Sequence, residues 1–259
     1  MRLPITGLTL MLLLSCGKDS KTNDTPVSVD TPHFKMIARS ADVNEKDMTK
    51  IPDLLPTMYY TPKEIDVNCS GGYGRAVYRG NEKVKLLTPA GAVIATVCKR
   101  YAQTLLMEGS GVLKNRGQGE LAINYGGKVN GQHRYHLLGR CKMGEGIRKN
   151  LCLLPYHTIA ADNRIHKVNE IIYIPEAKGI HLPDDSIHDG FFIVRDTGGA
   201  FNGIGSQRVD LFTGTDPDFD NAFRKAGFHH KRPMDAFKIQ GESAEQVREK
   251  LREKFGGLY

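Results

Sequence analysis

The chain has 259 residues, of which 40% are hydrophobic, and carries a formal net charge of +7. A chain of this length can bury a substantial core in one domain. Its lysines and arginines are dispersed and its N-terminus has the pattern of an export signal, so nucleic acid is excluded as the expected partner. A mild positive field instead favours anionic cell-wall polymers or acidic membrane surfaces.

The N-terminus combines an export pattern with a lipidation pattern. Arg2 supplies one positive charge, and the apolar run Leu8–Leu14 is shorter than the about 20 residues that a permanent membrane span needs. Ser15 and Cys16 end this run in a way that resembles the lipobox of bacterial lipoproteins. We expect residues 1–15 to be a signal peptide and the acylated cysteine to anchor the chain to the outer membrane, facing the periplasm. An ordinary secretory signal with an incidental cysteine is the alternative.

A flexible tether is predicted after the lipidated cysteine. Lys18–Pro32 is rich in Ser, Thr, Asp, Lys and Pro and has almost no large apolar residues, which is typical of a segment that cannot fold alone. Pro52 and Pro56 interrupt the chain further on. We therefore expect the tether to span residues 16–56 and the folded domain to begin near Thr57.

Short apolar runs separated by glycine predict a mainly β domain over residues 57–240. Helical periodicity is found at Ser243–Phe255, inside a C-terminal segment of residues 241–259, and a shorter helix is predicted within Pro217–Lys225. Many short strands with few helices favour a barrel or a sandwich. The predicted strands are Ala76–Tyr78, Val84–Leu87, Val93–Val97, Leu121–Tyr125, Tyr135–Leu138, Ile171–Ile174, Phe191–Val194 and Val209–Phe212.

Four cysteines remain if Cys16 carries lipid: Cys69, Cys98, Cys141 and Cys152. An oxidising periplasm favours two disulfides, for which three connectivities exist. Closeness in sequence favours Cys69–Cys98 and Cys141–Cys152, each worth about 3 kcal/mol by loop entropy. A zinc site is the rival interpretation, but none of these cysteines has the tight spacing of such sites, so no metal is expected.

The segment Phe191–Gly214 concentrates the residues suited to chemistry. Its two apolar runs have the composition of strands and carry Asp196 and Asp210 at or near their ends. Between them Gly198 and Gly199 suit a tight turn that lets backbone approach a ligand. Two carboxylates on neighbouring strands with little bulk between them are typical of general acid catalysis. The alternative is that both aspartates are turn residues, because Asp beside Gly is common in loops.

These segments resemble the three-aspartate (3D) domain, which is shared with the membrane-bound lytic murein transglycosylase A family. Asp196 begins the Asp-Thr-Gly-Gly-Ala segment of that signature, and Asp210 lies in the apolar run that follows it. Asp162 stands in an Ala-x-Asp segment and is followed, at the family's spacing, by a strand that ends in Ile-Pro at Pro175. The loop between Asp196 and Asp210 is longer than in the family, and residues 166–169 replace the usual Ile-Pro-x-Gly turn.

The resemblance extends over roughly Leu105–Ile239 and implies a double-psi β-barrel, which periodicity alone does not reveal. It includes a glycine-rich segment of the substrate groove. The residues that match this segment are Gly109, Ser110 and Gly111, preceded by Met107 and Glu108.

The activity that the resemblance implies is cleavage of peptidoglycan glycan strands by a lytic transglycosylase. The bond is the β-1,4 linkage between N-acetylmuramic acid and N-acetylglucosamine, and the product carries a 1,6-anhydro-muramyl end. Asp210 would act as acid and then as base, and the charge of Asp196 would keep Asp210 protonated. Asp162 would orient the others or bind sugar hydroxyls, the amides of Gly198 and Gly199 would bind sugar, and no cofactor is implied.

Two alternatives stay open at this point. A non-catalytic glycan-binding or wall-loosening lipoprotein is one, since a fold does not determine an activity. A hydrolase that uses water is the other, because it needs the same acid. The sequence points to no protein partner.

Overall fold

The computed structural model describes residues 32–70, 81–201, 203–205 and 207–259. The predicted signal peptide, Cys16 and the predicted strand Ala76–Tyr78 lie outside these residues. The described helices and strands, in chain order, are α1 (Pro32–Ala41), β1 (Met48–Tyr59), β2 (Lys83–Leu87), β3 (Val93–Cys98), α2 (Lys99–Glu108), β4 (Ser110–Leu113), β5 (Leu121–Val129), β6 (Gln132–Leu137), β7 (Thr158–Ala161), β8 (Ile171–Tyr173), β9 (Phe191–Asp196), β10 (Arg208–Phe212), α3 (Ala222–Lys225), β11 (Met234–Ile239) and α4 (Gly241–Phe255).

Six strands close into a barrel in the order β1-β10-β7-β9-β8-β11. The pairs β1–β10 and β7–β9 are parallel, and the other neighbours are antiparallel. Alternating apolar side chains fill the core of the barrel, among them Ile159, Phe192, Val209 and Leu211, which are fully buried. The prediction of a mainly β barrel followed by a C-terminal helix is therefore confirmed.

The barrel begins earlier than the predicted boundary near Thr57, because β1 starts at Met48. Leu54 and Met58 of this strand are buried in the barrel core. Pro52 lies at an irregularity in the pairing of β1 with β11, where a residue without a backbone N–H is tolerated. The prolines that indicated a tether therefore belong to a strand, and the predicted tether of residues 16–56 is folded over residues 32–41 and 48–56.

The two terminal helices cover one outer face of the barrel. Phe34 of α1 packs edge-on against Phe237 of β11, with ring centroids 5.6 Å apart. Val247 and Leu251 of α4 join the same cluster. The predicted helix Ser243–Phe255 is present and begins two residues earlier, at Gly241, and the hydroxyl of Ser243 donates to Asp47 at 2.8 Å.

A second lobe joins the barrel through the chain that follows β1. The hairpin β2–β3, the sheet β4–β5–β6 and α2 enclose a separate core that includes Leu86, Tyr101 and Ile123. The lobe is attached where Val112 of β4 donates its N–H to the carbonyl of Pro62 at 2.9 Å. This attachment places the C-terminal end of α2 beside the barrel.

Both disulfides have the pairing that closeness in sequence predicts, Cys69–Cys98 and Cys141–Cys152. The Cys69–Cys98 disulfide links the segment that follows β1 to the N-terminal end of α2. The second closes a loop next to the barrel, where the carbonyl of Cys152 accepts a hydrogen bond from Arg195 of β9 at 2.8 Å. Each disulfide therefore fixes a segment that leads towards the predicted aspartates.

Candidate active site

Asp196 and Asp210 stand on either side of one strand. Ala160 of β7 pairs with Asp196 of β9 and with Asp210 of β10. Neighbouring strands lie about 4.8 Å apart, so the two aspartates are separated by about two strand spacings, and residues in register share a face of the sheet. The expectation that the two aspartates lie on directly adjacent strands is therefore wrong. Ala160 is itself buried, and its small side chain adds little bulk between the two aspartates.

An apolar cluster that includes Ala160 packs next to the two aspartates. It consists of Tyr59, Leu153, Ala160, Phe201 and Phe212. The rings of Tyr59 and Phe212 lie 5.1 Å apart. An apolar floor next to carboxylates removes water from them, which disfavours their charged forms.

Burial raises the pKa of Asp196 to about 6, and the charge of Asp210 raises it as well. The backbone N–H of Thr197 donates to Asp196 Oδ1 at 2.8 Å and opposes this shift. A carboxyl group with such a pKa retains a proton closer to neutral pH than an ordinary aspartate does. The like-charge interaction between the two predicted aspartates is thus present.

Burial also raises the pKa of Asp210, whose side chain is 21% exposed. Arg208 on the same strand opposes the shift, because its Nε donates to Asp210 Oδ1 at 3.3 Å. The charge of Asp218, in the loop after β10, acts in the same direction as burial. Asp210 can therefore hold a proton, and the guanidinium of Arg208 can stabilise the carboxylate that remains once that proton has left.

Asp162 is held apart from the other two aspartates. It follows β7 and accepts hydrogen bonds from Arg164, through the backbone N–H at 3.0 Å and through Nη2 at 2.5 Å. These hydrogen bonds lower the pKa of Asp162 to about 2. Among the described residues, the charges that act on it are those of Arg164 and His166. Asp162 is therefore an ionised but buried residue of the turn that follows β7.

The glycine-rich segment of the second lobe lies at the junction with the barrel. Gly109 ends α2 with φ +83°, and Gly111 crosses α2 so closely that an added Cβ would lie 2.5 Å from the hydroxyl of Tyr101. Ser110 is buried and donates its hydroxyl to Asn124 Oδ1 at 2.5 Å. The small residues of this segment thus permit a close crossing of β4 over α2.

Gly198 and Gly199 lie in the loop that leaves β9. Gly199 begins a short 3₁₀ turn that ends at Phe201, whose ring belongs to the apolar floor. Gly199 and Ala200 are exposed. Their backbone groups border the space between the two carboxylates and solvent.

Two further residues reach the site that the sequence did not assign to it. Glu108, the last residue of α2, accepts a hydrogen bond from the N–H of Tyr60 at 3.2 Å, and burial raises its pKa to about 7. Tyr59 of β1 is buried, and the charges of Asp196, Asp210 and Glu108 all act on its phenol. Glu108 could have been found from its place before the glycine-rich segment. Tyr59 could not, because it depends on the pairing of β1 with the distant β10.

Comparison with known proteins adds an independent finding. A family model described as the 3D domain matches residues 157–232, a range that contains all three predicted aspartates. No curated protein matches the sequence of this chain.

Solved structures to which this chain is similar include lytic transglycosylases. They include Escherichia coli MltA with bound chitohexaose (13% identity, covering 75% of this chain and 76% of that chain, TM-score 0.41). They also include a membrane-bound lytic murein transglycosylase from Agrobacterium tumefaciens (14% identity, 79% and 79%, TM-score 0.43). A third is the lytic transglycosylase LtgG of Burkholderia pseudomallei (14% identity, 82% and 84%, TM-score 0.37).

The family match coincides with the strands that carry the carboxylates. It begins at His157, immediately before β7, includes β9 and β10, and ends between α3 and β11. Residues 157–232 of the chain are therefore similar to the 3D domain.

Proposed function

We propose that this protein is a peptidoglycan lytic transglycosylase. The observation that carries the proposal is the pair Asp196 and Asp210, which flank Ala160 inside the matched 3D domain and both have raised pKa values. Paired carboxylates whose proton affinities are raised by burial suit general acid catalysis. The substrate class is the glycan strand of peptidoglycan.

The proposed reaction needs one carboxyl group in two successive roles. Asp210 donates its proton to the glycosidic oxygen as the bond from that oxygen to C1 of the muramyl residue breaks. The muramyl 6-hydroxyl then attacks C1, and the Asp210 carboxylate takes the hydroxyl proton, which closes the 1,6-anhydro ring. Because the nucleophile belongs to the substrate, no second catalytic carboxylate is required, unlike the usual glycosidase scheme.

Neighbouring groups have supporting roles in this proposal. Arg208, whose Nε lies 3.3 Å from Asp210 Oδ1, stabilises the carboxylate after it has donated its proton. The charge of Asp196 favours the protonated form of Asp210. The amides of Gly198 and Gly199 bind sugar hydroxyls at the border of the site. Asp162, paired with Arg164, orients the turn after β7 or binds sugar hydroxyls at the edge of the groove.

The proposal extends to the fold and to the location of the protein. We assign the barrel to the double-psi type, which the parallel pairs β1–β10 and β7–β9 support.

A membrane-crossing helix is absent from the part of the chain that the structure describes. We propose acylation of Cys16 as the anchor, with the domain facing the periplasm from the outer membrane.

Product analysis tests the function. Purified murein is incubated with the protein, and the released fragments are analysed by mass spectrometry. Anhydro-muramyl ends are the expected result. Reducing ends would show that water is the nucleophile and that the protein is a hydrolase. Binding to murein without cleavage would show a non-catalytic glycan-binding protein.

A further inference from the structure

The loop that leaves β10 displays an aromatic side chain to solvent. Phe219 is 80% exposed, and among the described residues no other phenylalanine or tyrosine is exposed. A ring of this size gains stability when it is removed from water, and the fold leaves that gain unused at Phe219. A single exposed apolar residue is ordinary on a protein surface, but Phe219 differs by its position and by the rigidity of its loop.

The backbone on both sides of Phe219 is held by hydrogen bonds. Asn221 Nδ2 donates to the carbonyls of Pro217 and Asp218, at 2.9 and 3.1 Å. Arg224 Nε donates to the carbonyl of Asp218 at 3.0 Å, and Arg224 Nη2 donates to the Asp218 carboxylate. The ring is therefore presented from a fixed backbone, so a ligand that binds it has little chain to order.

The same loop is attached to the strands of the candidate active site. It begins directly after the last residue of β10, the strand that carries Asp210. The N–H of Thr61 donates to the carbonyl of Gly214 at 2.7 Å, so the loop lies against the end of β1, which pairs with β10. The charge of Asp218 raises the pKa of Asp210, which is consistent with this placement. Phe219, the residue after Asp218, therefore belongs to the rim of the site.

The groups around the ring suit a sugar. One face of a pyranose carries C–H groups that pack against the electron-rich face of an aromatic ring, while its hydroxyl groups form hydrogen bonds at the edge. Asp218 and Asp220 flank Phe219 with exposed carboxylates, which can accept such hydrogen bonds. Each carboxylate is paired with a cation, Arg224 or Lys225, so the flank carries no net negative charge.

We propose that Phe219 is a sugar-stacking residue, which holds a pyranose ring of the glycan strand at the rim of the site. This inference rests on the proposed function, because that function supplies the glycan strand as the ligand. A polymer extends beyond the bond that is cleaved, so a contact at the rim adds binding energy without taking part in the chemistry. Such a contact is made equally in the bound substrate and in the transition state, and it therefore lowers KM without raising kcat.

Fluorescence tests the contact directly. The chain contains no tryptophan, so Phe219→Trp introduces a single indole at the proposed contact. When chitohexaose, an oligomer of N-acetylglucosamine, is titrated into this variant, the emission should shift to shorter wavelength and saturate, because the sugar removes water from the ring. Met36→Trp is the matched control, since Met36 is 61% exposed on α1, which packs against β11. An unchanged emission of Phe219→Trp, or an equal change in Met36→Trp, would overturn the inference.

Kinetics of murein cleavage test the same contact without an indole. In Phe219→Ala the KM should rise by about two- to tenfold while kcat stays close to that of the wild type, and Phe219→Tyr, which keeps the ring, should restore most of the affinity. An unchanged KM in Phe219→Ala would overturn the inference.

The two measurements separate this inference from the proposed function. A saturable emission change in Phe219→Trp, together with a wild-type protein that cleaves no murein, would contradict the proposed function and support the sugar contact. Cleavage of murein by the wild type, together with an unchanged emission of Phe219→Trp, would overturn the sugar contact and leave the proposed function in place.

Discussion

Ala160 stands in register with both Asp196 and Asp210, and its small side chain adds little bulk between the two aspartates. Burial over the apolar floor then raises the pKa of each aspartate. Arg208 opposes the shift for Asp210, and the N–H of Thr197 opposes it for Asp196. At the scale of residues, the site combines desolvation, which favours the protonated forms of the carboxyl groups, with hydrogen-bond donors to each carboxylate, which stabilise the charged forms.

Asp196→Asn should also impair turnover, but through a shift of the pH profile and not through loss of the transferable proton. The variant removes a negative charge beside Asp210, so the pKa of Asp210 falls and the basic limb of the rate profile moves towards acid, by about one pH unit. The kcat/KM of murein cleavage across pH measures this. Asp185→Asn, at an exposed position, is the matched control and should leave the profile unchanged. An unshifted basic limb in Asp196→Asn would refute the coupling between the two aspartates.

At the scale of elements, the crossing of β4 over α2 positions Glu108 and the glycine-rich segment. Gly111 lies so close to α2 that an added Cβ would be 2.5 Å from the Tyr101 hydroxyl and 2.7 Å from Leu105 Cδ1. Both of these side chains are fully buried. β4 and α2 therefore cannot accommodate an additional methyl group at Gly111 unless one of them shifts.

Gly111→Ala should destabilise the protein, because the new methyl group overpacks this crossing. A loss of about 1–3 kcal/mol in the free energy of unfolding is expected, measured by urea denaturation. Gly139→Ala is the control, since an added Cβ at that glycine meets nothing within 4 Å. Equal stability of the two variants would show that the crossing is not tightly packed.

Local patterns predicted the strands that lie within continuous apolar runs, such as β9 and β10, and the amphipathic α4. They missed β1, because Pro52 and Pro56 resemble linker residues. The bulge in the pairing of β1 with β11 accommodates Pro52, and Pro56 pairs with Val209 of β10. They also missed α2, although Tyr101 and Leu105 lie on one helical face. Tyr59 and Arg208 could not be assigned to the site from the sequence, because their roles arise from pairing between distant strands and from the burial that follows.

At the scale of the whole molecule, two stacked histidines connect the barrel to α4. The rings of His157 and His188 are 4.5 Å apart. Lys254 of α4 lies 3.1 Å from His157 Nε2, while His157 Nδ1 donates to the carbonyl of Phe191 at 3.1 Å. Burial lowers the pKa of His157 to about 4 and also lowers that of His188. Both histidines are therefore neutral in the folded protein at neutral pH.

Acid should destabilise the protein before most of its carboxylates titrate. The unfolded chain takes up protons on these histidines near pH 6.5, whereas His157 in the folded protein does so only near pH 4. The contribution to folding stability that is present above pH 6.5 is therefore lost as the pH falls from 6.5 to 4. A loss of a few kcal/mol is expected, since a tenfold difference in proton binding corresponds to about 1.4 kcal/mol.

Urea denaturation at a series of pH values measures this loss. His157→Gln should show a shallower decline, whereas His230→Gln, at an exposed position, should follow the wild type. A decline of equal slope in His157→Gln and the wild type would contradict the role assigned to the stacked pair.

The central claim is that Asp210 transfers the proton that cleaves the glycan strand, and the Asp210→Asn variant tests it most directly. The substitution keeps the shape of the side chain and removes the transferable proton, so murein cleavage should fall by about 10²–10⁴-fold or more. Binding to insoluble murein, measured by co-sedimentation, should persist because the groove is intact. Near-normal cleavage by Asp210→Asn would contradict the claim.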